Sequence, residues 1–309
     1  MPERIRARLA KLRHSLVLNQ YMFSLMGPDA NIERMSELLK APVLEGGDEE
    51  NHSRYSLVLK QYFRNGQMAE KLEEYDEHIF LHTQCINEQR KENIQWKYFQ
   101  YLSLLFTEAY LDRYFNGREQ LLNDLNLFLQ GDRMHRDCFN SNPNNYNGLE
   151  PFTDKELNKL AYWNATGSGK TLLMHVNILQ YLWYYAHSDR QHEKLNRIIL
   201  LTPNEGLSTQ HLEELAQSGI DAVEFNKDVT RNLYQGTHVE VMEITKLSDD
   251  KEKNNVTRVD PHEFEGNNLV IVDEGHRGSS GDSWKSYRDM LADGGFTFEY
   301  SATLGQGVS

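Results

Sequence analysis

The eight residues Asn164-Ala165-Thr166-Gly167-Ser168-Gly169-Lys170-Thr171 constrain the fold more than any other stretch of this chain. A short run, Leu160 to Trp163, leads in and reads as a strand. An apolar segment, Leu172 to Tyr185, leads out and reads as a helix. Strand, glycine-rich turn and helix N-terminus are the layout of a phosphate-binding loop. Glycines let the backbone curl so that its N–H groups point inward and form a nest for an anion. The positive end of the helix dipole aims at the same spot. In this reading Thr166, Gly167, Ser168, Gly169, Lys170 and Thr171 bind the nucleotide. Lys170 reaches the β- and γ-phosphates, and the Thr171 hydroxyl holds Mg²⁺. The strict pattern asks for glycine where Asn164 stands, but the tail that carries most of the anion chemistry is intact. The competing reading is a Gly/Ser loop that only turns the chain.

The text on either side of the loop differs in kind. Residues 54 to 130 show helical periodicity almost throughout: Met68, Leu72, Tyr75, Ile79 and Ile86 form one apolar stripe, and Trp96, Phe99, Leu102, Phe106 and Tyr110 another. Residues 3 to 26 also read as a helix. Its basic start is either a solvated face or a phosphate-contacting arm. His78, His82 and Cys85 have helix-face spacing that can suit a metal, but no fourth ligand is evident and they read as ordinary helix residues. The segment from 131 to 150 is polar and Asn-rich, a loop. Thr153 to Glu156 has capping-box spacing. Beyond it, strands alternate with helices: Arg197–Thr202, Ile220–Phe225, His238–Ile244, Asn268–Val272 and Phe296–Ser301 are the strands, and the segments from Lys170, Leu207 and Trp284 the helices. Such alternation predicts a parallel sheet covered on both faces. The expectation is therefore an α/β, P-loop NTPase domain over residues 151–309, preceded by a mainly α-helical accessory domain over residues 1–150.

Ligands of an open α/β sheet bind beyond the carboxyl ends of its strands. Besides the loop itself, three strand ends carry reactive residues. Asp273-Glu274-Gly275-His276 follows Leu-Val-Ile-Val; Asp273 suits Mg²⁺, and Glu274 can orient or deprotonate a water. Ser301-Ala302-Thr303 offers two hydroxyls to a catalytic carboxylate or to His276. Thr202-Pro203-Asn204 either contacts a nucleic-acid backbone or caps and turns into the helix at Leu207.

The order Ala-Thr-Gly-Ser-Gly-Lys-Thr, Leu-Leu-Thr-Pro-Asn, Val-Asp-Glu-Gly-His, Tyr-Ser-Ala-Thr resembles motifs I, Ia, II and III of the first RecA-like domain of superfamily 2 helicases of the DEAD/DEAH type. The flanking text is most similar to the Res (ResIII) subunit of type III restriction enzymes and related phage-defence helicases, over about residues 155 to 304. The resemblance implies ATP and Mg²⁺ as cofactors. It gives Lys170, Asp273, Glu274 and His276 catalytic roles, with Thr171 and Asp273 at the metal. Thr202, Pro203, Asn204, Ser301 and Thr303 then serve nucleic-acid contact or coupling. Gln100, in Tyr98-Phe99-Gln100, would read adenine, although it lies far from the loop; otherwise it is a helix-surface glutamine. The implied partner is DNA, double-stranded, with a second RecA-like lobe and nuclease or methyltransferase subunits. That lobe supplies arginine fingers worth ~10³ or more in rate in related hydrolases. No such lobe follows motif III before Ser309, so the expectation is a fragment or one half of a split enzyme. The other functional reading is a non-catalytic, nucleotide-gated module that binds DNA or protein.

The whole-chain quantities fit this picture. A net charge of -13 excludes a protein coated in positive charge, while a local basic groove stays possible. No apolar run approaches the ~20 residues of a membrane span, and no secretory signal is recognisable. Cys85 and Cys138 make a disulfide framework improbable and point to a cytoplasmic protein.

Overall fold

In the computed structural model, six parallel strands form one sheet. The structure describes residues 16–48, 51–131, 151–225, 238–246, 264, 266–274 and 289–302. The strands are β1 (Lys159–Trp163), β2 (Arg197–Thr202), β3 (Ala222–Glu224), β4 (Val239–Glu243), β5 (Asn268–Asp273) and β6 (Phe296–Ser301), in the order β1-β6-β5-β2-β4-β3. The parallel sheet expected from the alternating pattern is thus present. Sheet position explains each burial pattern. Central β2 and β5 are buried at every position, whereas edge strand β1 is buried only at Leu160. Apolar, partly β-branched runs such as Ile-Ile-Leu-Leu and Leu-Val-Ile-Val suit strands covered on both faces.

The sheet belongs to one of two compact units, made of residues 81–94 and 158 onward. Its helices include α7 (Lys170–His187) and α8 (Glu205–Gln217), each running between two strands. One core cluster gathers Ile199, Leu201, Met242, Val270, Val272 and Leu291. Helix α7 buries Leu173, Val176, Ile178, Tyr181 and Tyr184. Its Asn177 donates from Nδ2 to the Tyr300 hydroxyl at 2.6 Å, which ties the helix to β6. Tyr300 in turn stacks on Tyr162 of β1, with ring centroids 4.8 Å apart and planes 9° from parallel. At the amino edge, buried Asn268 pins three segments. Its Nδ2 donates to Phe264 O at 2.6 Å and Leu291 O at 2.7 Å, and its Oδ1 accepts from Asn196 at 3.1 Å. Residues 81–94 are held to α8 by Arg90, whose Nη2 donates to Ser218 Oγ at 2.6 Å.

The other unit, residues 1–80 and 95–157, is helical among its described residues. It holds α1 (Val17–Met26), α2 (Ile32–Leu39), α3 (Arg54–Tyr62), the first half of α4 (Leu72–Asn87), α5 (Tyr98–Asn116) and α6 (Arg118–Gly131). Buried polar groups are paired across it. The Tyr101 hydroxyl donates to Asp76 Oδ1 at 2.6 Å, Tyr75 donates to Asp112 at 2.7 Å, and His78 lies 3.1 Å from the buried carboxylate of Glu108. That pairing gives His78 a structural partner, and no metal-holding group of His, Cys, Asp and Glu is found among the described residues.

Candidate nucleotide-binding site

The phosphate-binding loop starts as a continuation of the sheet. Asn164 donates its backbone N–H to Ser301 O at 3.1 Å, so β1 and β6 stay paired one residue past the strand. This explains the missing glycine. Asn164 is not among the residues with positive φ, and an extended ladder position accepts any side chain. The left-handed positions come later, at Gly167 (φ 75°) and Gly169 (φ 81°), where an L side chain would be strained. Ser168 N–H closes a turn onto Ala165 O at 3.1 Å. Gly169 is the N-cap of α7, so Lys170 and Thr171 occupy its first two helical positions.

The acid pair sits at the same edge. Asp273 is the last residue of β5 and pairs in register with Tyr300 of β6. Next to it, Glu274 takes φ 51°, an uncommon value for a non-glycine residue that costs roughly 1–3 kcal/mol. Lys170 Nζ bonds directly to Glu274 Oε1, with the two side chains only 12% and 16% exposed. One strand separates β1 from β5 in the sheet, and the lysine side chain spans the gap. The loop lysine and the acid pair therefore meet at one place on the carboxyl edge of the sheet.

One participant has no counterpart in the motifs. His211, on α8, places Nε2 2.9 Å from Asp273 Oδ2 and is 3% exposed. A lone histidine in Gln-His-Leu-Glu-Glu-Leu offers no spacing signal that would single it out. Ser301, also placed at this edge, is buried, and its carbonyl accepts from Asn164. Nearby, Trp163 is exposed and donates from Nε1 to Ala302 O at 3.1 Å.

Other expected residues are placed differently. Thr202 is wholly buried, its Oγ1 2.6 Å from Ser208 Oγ. Its hydroxyl is turned into the fold, toward the start of α8. Asn204 accepts from Leu207 N–H at 3.0 Å as the cap of α8, while Pro203 lies half-buried on the turn. Gln100 belongs to the helical unit. Its Oε1 accepts from Lys97 N–H at 2.8 Å, half of a capping box for α5. His276 and Thr303 lie outside the described residues, as do the basic segment 3–15 and most of the helix expected from Trp284.

The side chains present fit a magnesium nucleotide. An ammonium, two left-handed glycines and a helix N-terminus suit phosphate oxygens, and a carboxylate with a helix-start hydroxyl is the hard-oxygen donor set that Mg²⁺ takes.

The family model for type III restriction enzyme, res subunit, matches residues 112–306, well over half of the sequence. The chain belongs to this family. Membership agrees with the four motifs, which mark a first RecA-like lobe of the superfamily 2 helicase type. No curated protein matches the chain. Among solved structures, the UvsW helicase of bacteriophage T4 shares 18% identity at a TM-score of 0.33, covering 48% of this chain and 48% of that one. The SWI2/SNF2 ATPase core of Sulfolobus solfataricus, in complex with dsDNA, shares 12% identity at a TM-score of 0.33, covering 47% of this chain and 27% of the other. Dbp5 of S. cerevisiae, solved with ADP, shares 17% at 0.32, with coverages of 49% and 39%. The chain thus spans less than half of each of these proteins, and likenesses this weak say nothing of activity.

Proposed function

We propose that this chain binds ATP with Mg²⁺ and hydrolyses it to drive movement on double-stranded DNA, as the first motor lobe of a restriction- or phage-defence-type translocase in the cytoplasm. Residues 151–309 form that lobe, residues 1–150 form an accessory region, and a second RecA-like lobe and nuclease or methyltransferase subunits complete the machine. The observation that carries the reading is the direct bond between Lys170 and Glu274 beside Asp273. The contact supports a shared nucleotide site, since 104 residues separate the two side chains in sequence.

The residues divide the work as follows. The backbone N–H groups around Gly167 and Gly169 and at the start of α7 donate to phosphate oxygens. Thr171 and Asp273 would hold Mg²⁺, which would neutralise charge on the phosphates. Lys170 exchanges its carboxylate partner for a phosphate. Once Lys170 has turned to the phosphate, Glu274 takes a proton from an attacking water. Ser301, and in the family pattern His276 and Thr303, then pass the change to the nucleic-acid side; Pro203 and Asn204 stand at that edge, and Gln100 is the candidate adenine reader.

Lys170→Ala tests the assignment. Binding of a fluorescent ATP analogue should fall at least tenfold while far-UV circular dichroism stays unchanged. Undiminished nucleotide binding by this variant would remove the phosphate-loop role.

A further inference from the structure

Among the described residues, the His211 ring makes one hydrogen bond. Its Nε2 lies 2.9 Å from Asp273 Oδ2, and a carboxylate oxygen only accepts, so Nε2 carries the proton. The other ring nitrogen, Nδ1, is buried without a hydrogen-bond partner among the described residues. A histidine that merely fills a core offers no reason for its single hydrogen bond to fall on the strand-end acid. A ring that serves the acid does, because the bond to Oδ2 satisfies one oxygen of a buried carboxylate and fixes its rotamer.

A second imidazole backs the first. His175, on α7 and fully buried, has Nδ1 2.8 Å from Ser218 Oγ. Ser218 Oγ also accepts from Arg90 Nη2 at 2.6 Å. Burial first, then the fields of His211 and Arg90, pushes His175 down to about 3. His175 is therefore neutral at working pH and adds no cation behind His211.

We infer that His211 is a positioning residue for the metal site: it occupies Oδ2 of Asp273 and leaves Oδ1 to serve the shell of a divalent cation bound with nucleotide. The role is that of an outer-shell partner, which orients a ligating carboxylate without touching the metal. It rests on the proposal that this pocket takes Mg²⁺–ATP.

The test measures the affinity of the full chain for a fluorescent ATP analogue across a Mg²⁺ titration and again in EDTA. The variants are His211→Ala, His211→Gln and His211→Asn. Gln places its amide nitrogen near the position of the histidine Nε2, while Asn is too short to reach the acid. The wild type should gain affinity with Mg²⁺. His211→Ala and His211→Asn should lose about 10- to 100-fold in Mg²⁺ affinity, with affinity in EDTA held within about twofold. His211→Gln should recover most of the loss. A histidine needed only for packing would weaken both conditions together, or would not be rescued by Gln; either result overturns the inference. So does full Mg²⁺ affinity in His211→Asn, which also decides the matter if the alanine variant does not fold. A wild type that gains nothing from Mg²⁺ overturns the site reading itself, and the role of His211 with it.

Discussion

Glu274→Gln should tighten ATP binding while abolishing turnover. The carboxylate of Glu274 and a phosphate group compete for the same ammonium, Lys170. The pair is neither a surface pair worth ~0–1 kcal/mol nor a wholly buried one, since its side chains are 12% and 16% exposed. A charge-assisted hydrogen bond of this kind contributes about 1.5–3 kcal/mol net. Glutamine keeps the shape and hydrogen-bonding capacity but not the charge, so roughly half of that, about 1 kcal/mol or a little more, is lost. The lysine then meets a phosphate without first leaving an anion, and each 1.4 kcal/mol is about tenfold in affinity. The expected gain is therefore about five- to tenfold, measured by titration of a fluorescent ATP analogue in the presence of Mg²⁺. The same free energy disappears from the fold without nucleotide, so denaturant unfolding should show a matching loss of about 1 kcal/mol. Glutamine has the same backbone requirements as glutamate at φ 51°, which keeps strain out of the comparison. Lower stability with unchanged or weaker ATP binding would refute the competition. Retained hydrolysis would remove Glu274 as the base.

Two further outcomes concern stability. Gly295→Ala places a Cβ 2.0 Å from Asn268 O and 2.6 Å from Asn268 N, against backbone that cannot move without opening the start of β5, so the variant should be insoluble or lose most of its cooperative unfolding transition. His175 is depressed to about 3 from 6.5 by burial, so its contribution is fully present above pH 6.5 and is lost as pH falls toward 3. Between pH 7.5 and 5.5 this group alone should cost about 1.4 kcal/mol, the portion below 6.5, and His175→Asn, which keeps an acceptor for Ser218, should flatten the difference between unfolding curves at those two pH values.

Much of the sheet was readable because its strands are short apolar runs ended by polar residues. Arg197–Thr202 and Phe296–Ser301 match the expected bounds, and β5 extends its expected run by one residue to Asp273. One edge strand is shorter than its pattern. Ile220–Phe225 shrinks to Ala222–Glu224, because a strand paired on one side needs fewer apolar residues than the pattern supplies. The four strand-end motifs announce themselves by residue type, yet residue type does not say which way a side chain turns. Thr202 turns inward to Ser208, and Asn204 spends its amide on a helix cap. What spacing cannot show is contact between distant segments. Arg90 reaches Ser218 across 128 positions and His211 reaches Asp273 across 62, and each would pass as an unremarkable helix residue in the sequence alone. The grouping of residues 81–94 with the sheet has the same cause. Helical periodicity runs through α4 without a break, and nothing in it marks where the helix changes company.

The strand order carries one more consequence. Because β6 lies between β1 and β5, the lysine-bearing loop and the acids stand two inter-strand spacings apart, about 9–10 Å. That separation is set by backbone ladders on both sides of β6. The middle strand works as a gauge block between two jaws. A one-residue slip of β6 would face Tyr300 away from Tyr162 and Asn177 and draw Ser301 off the rim, resetting both jaws at once. The loops carry the lysine and the acids, but the distance between them is fixed by β6, the strand that lies between them and holds neither.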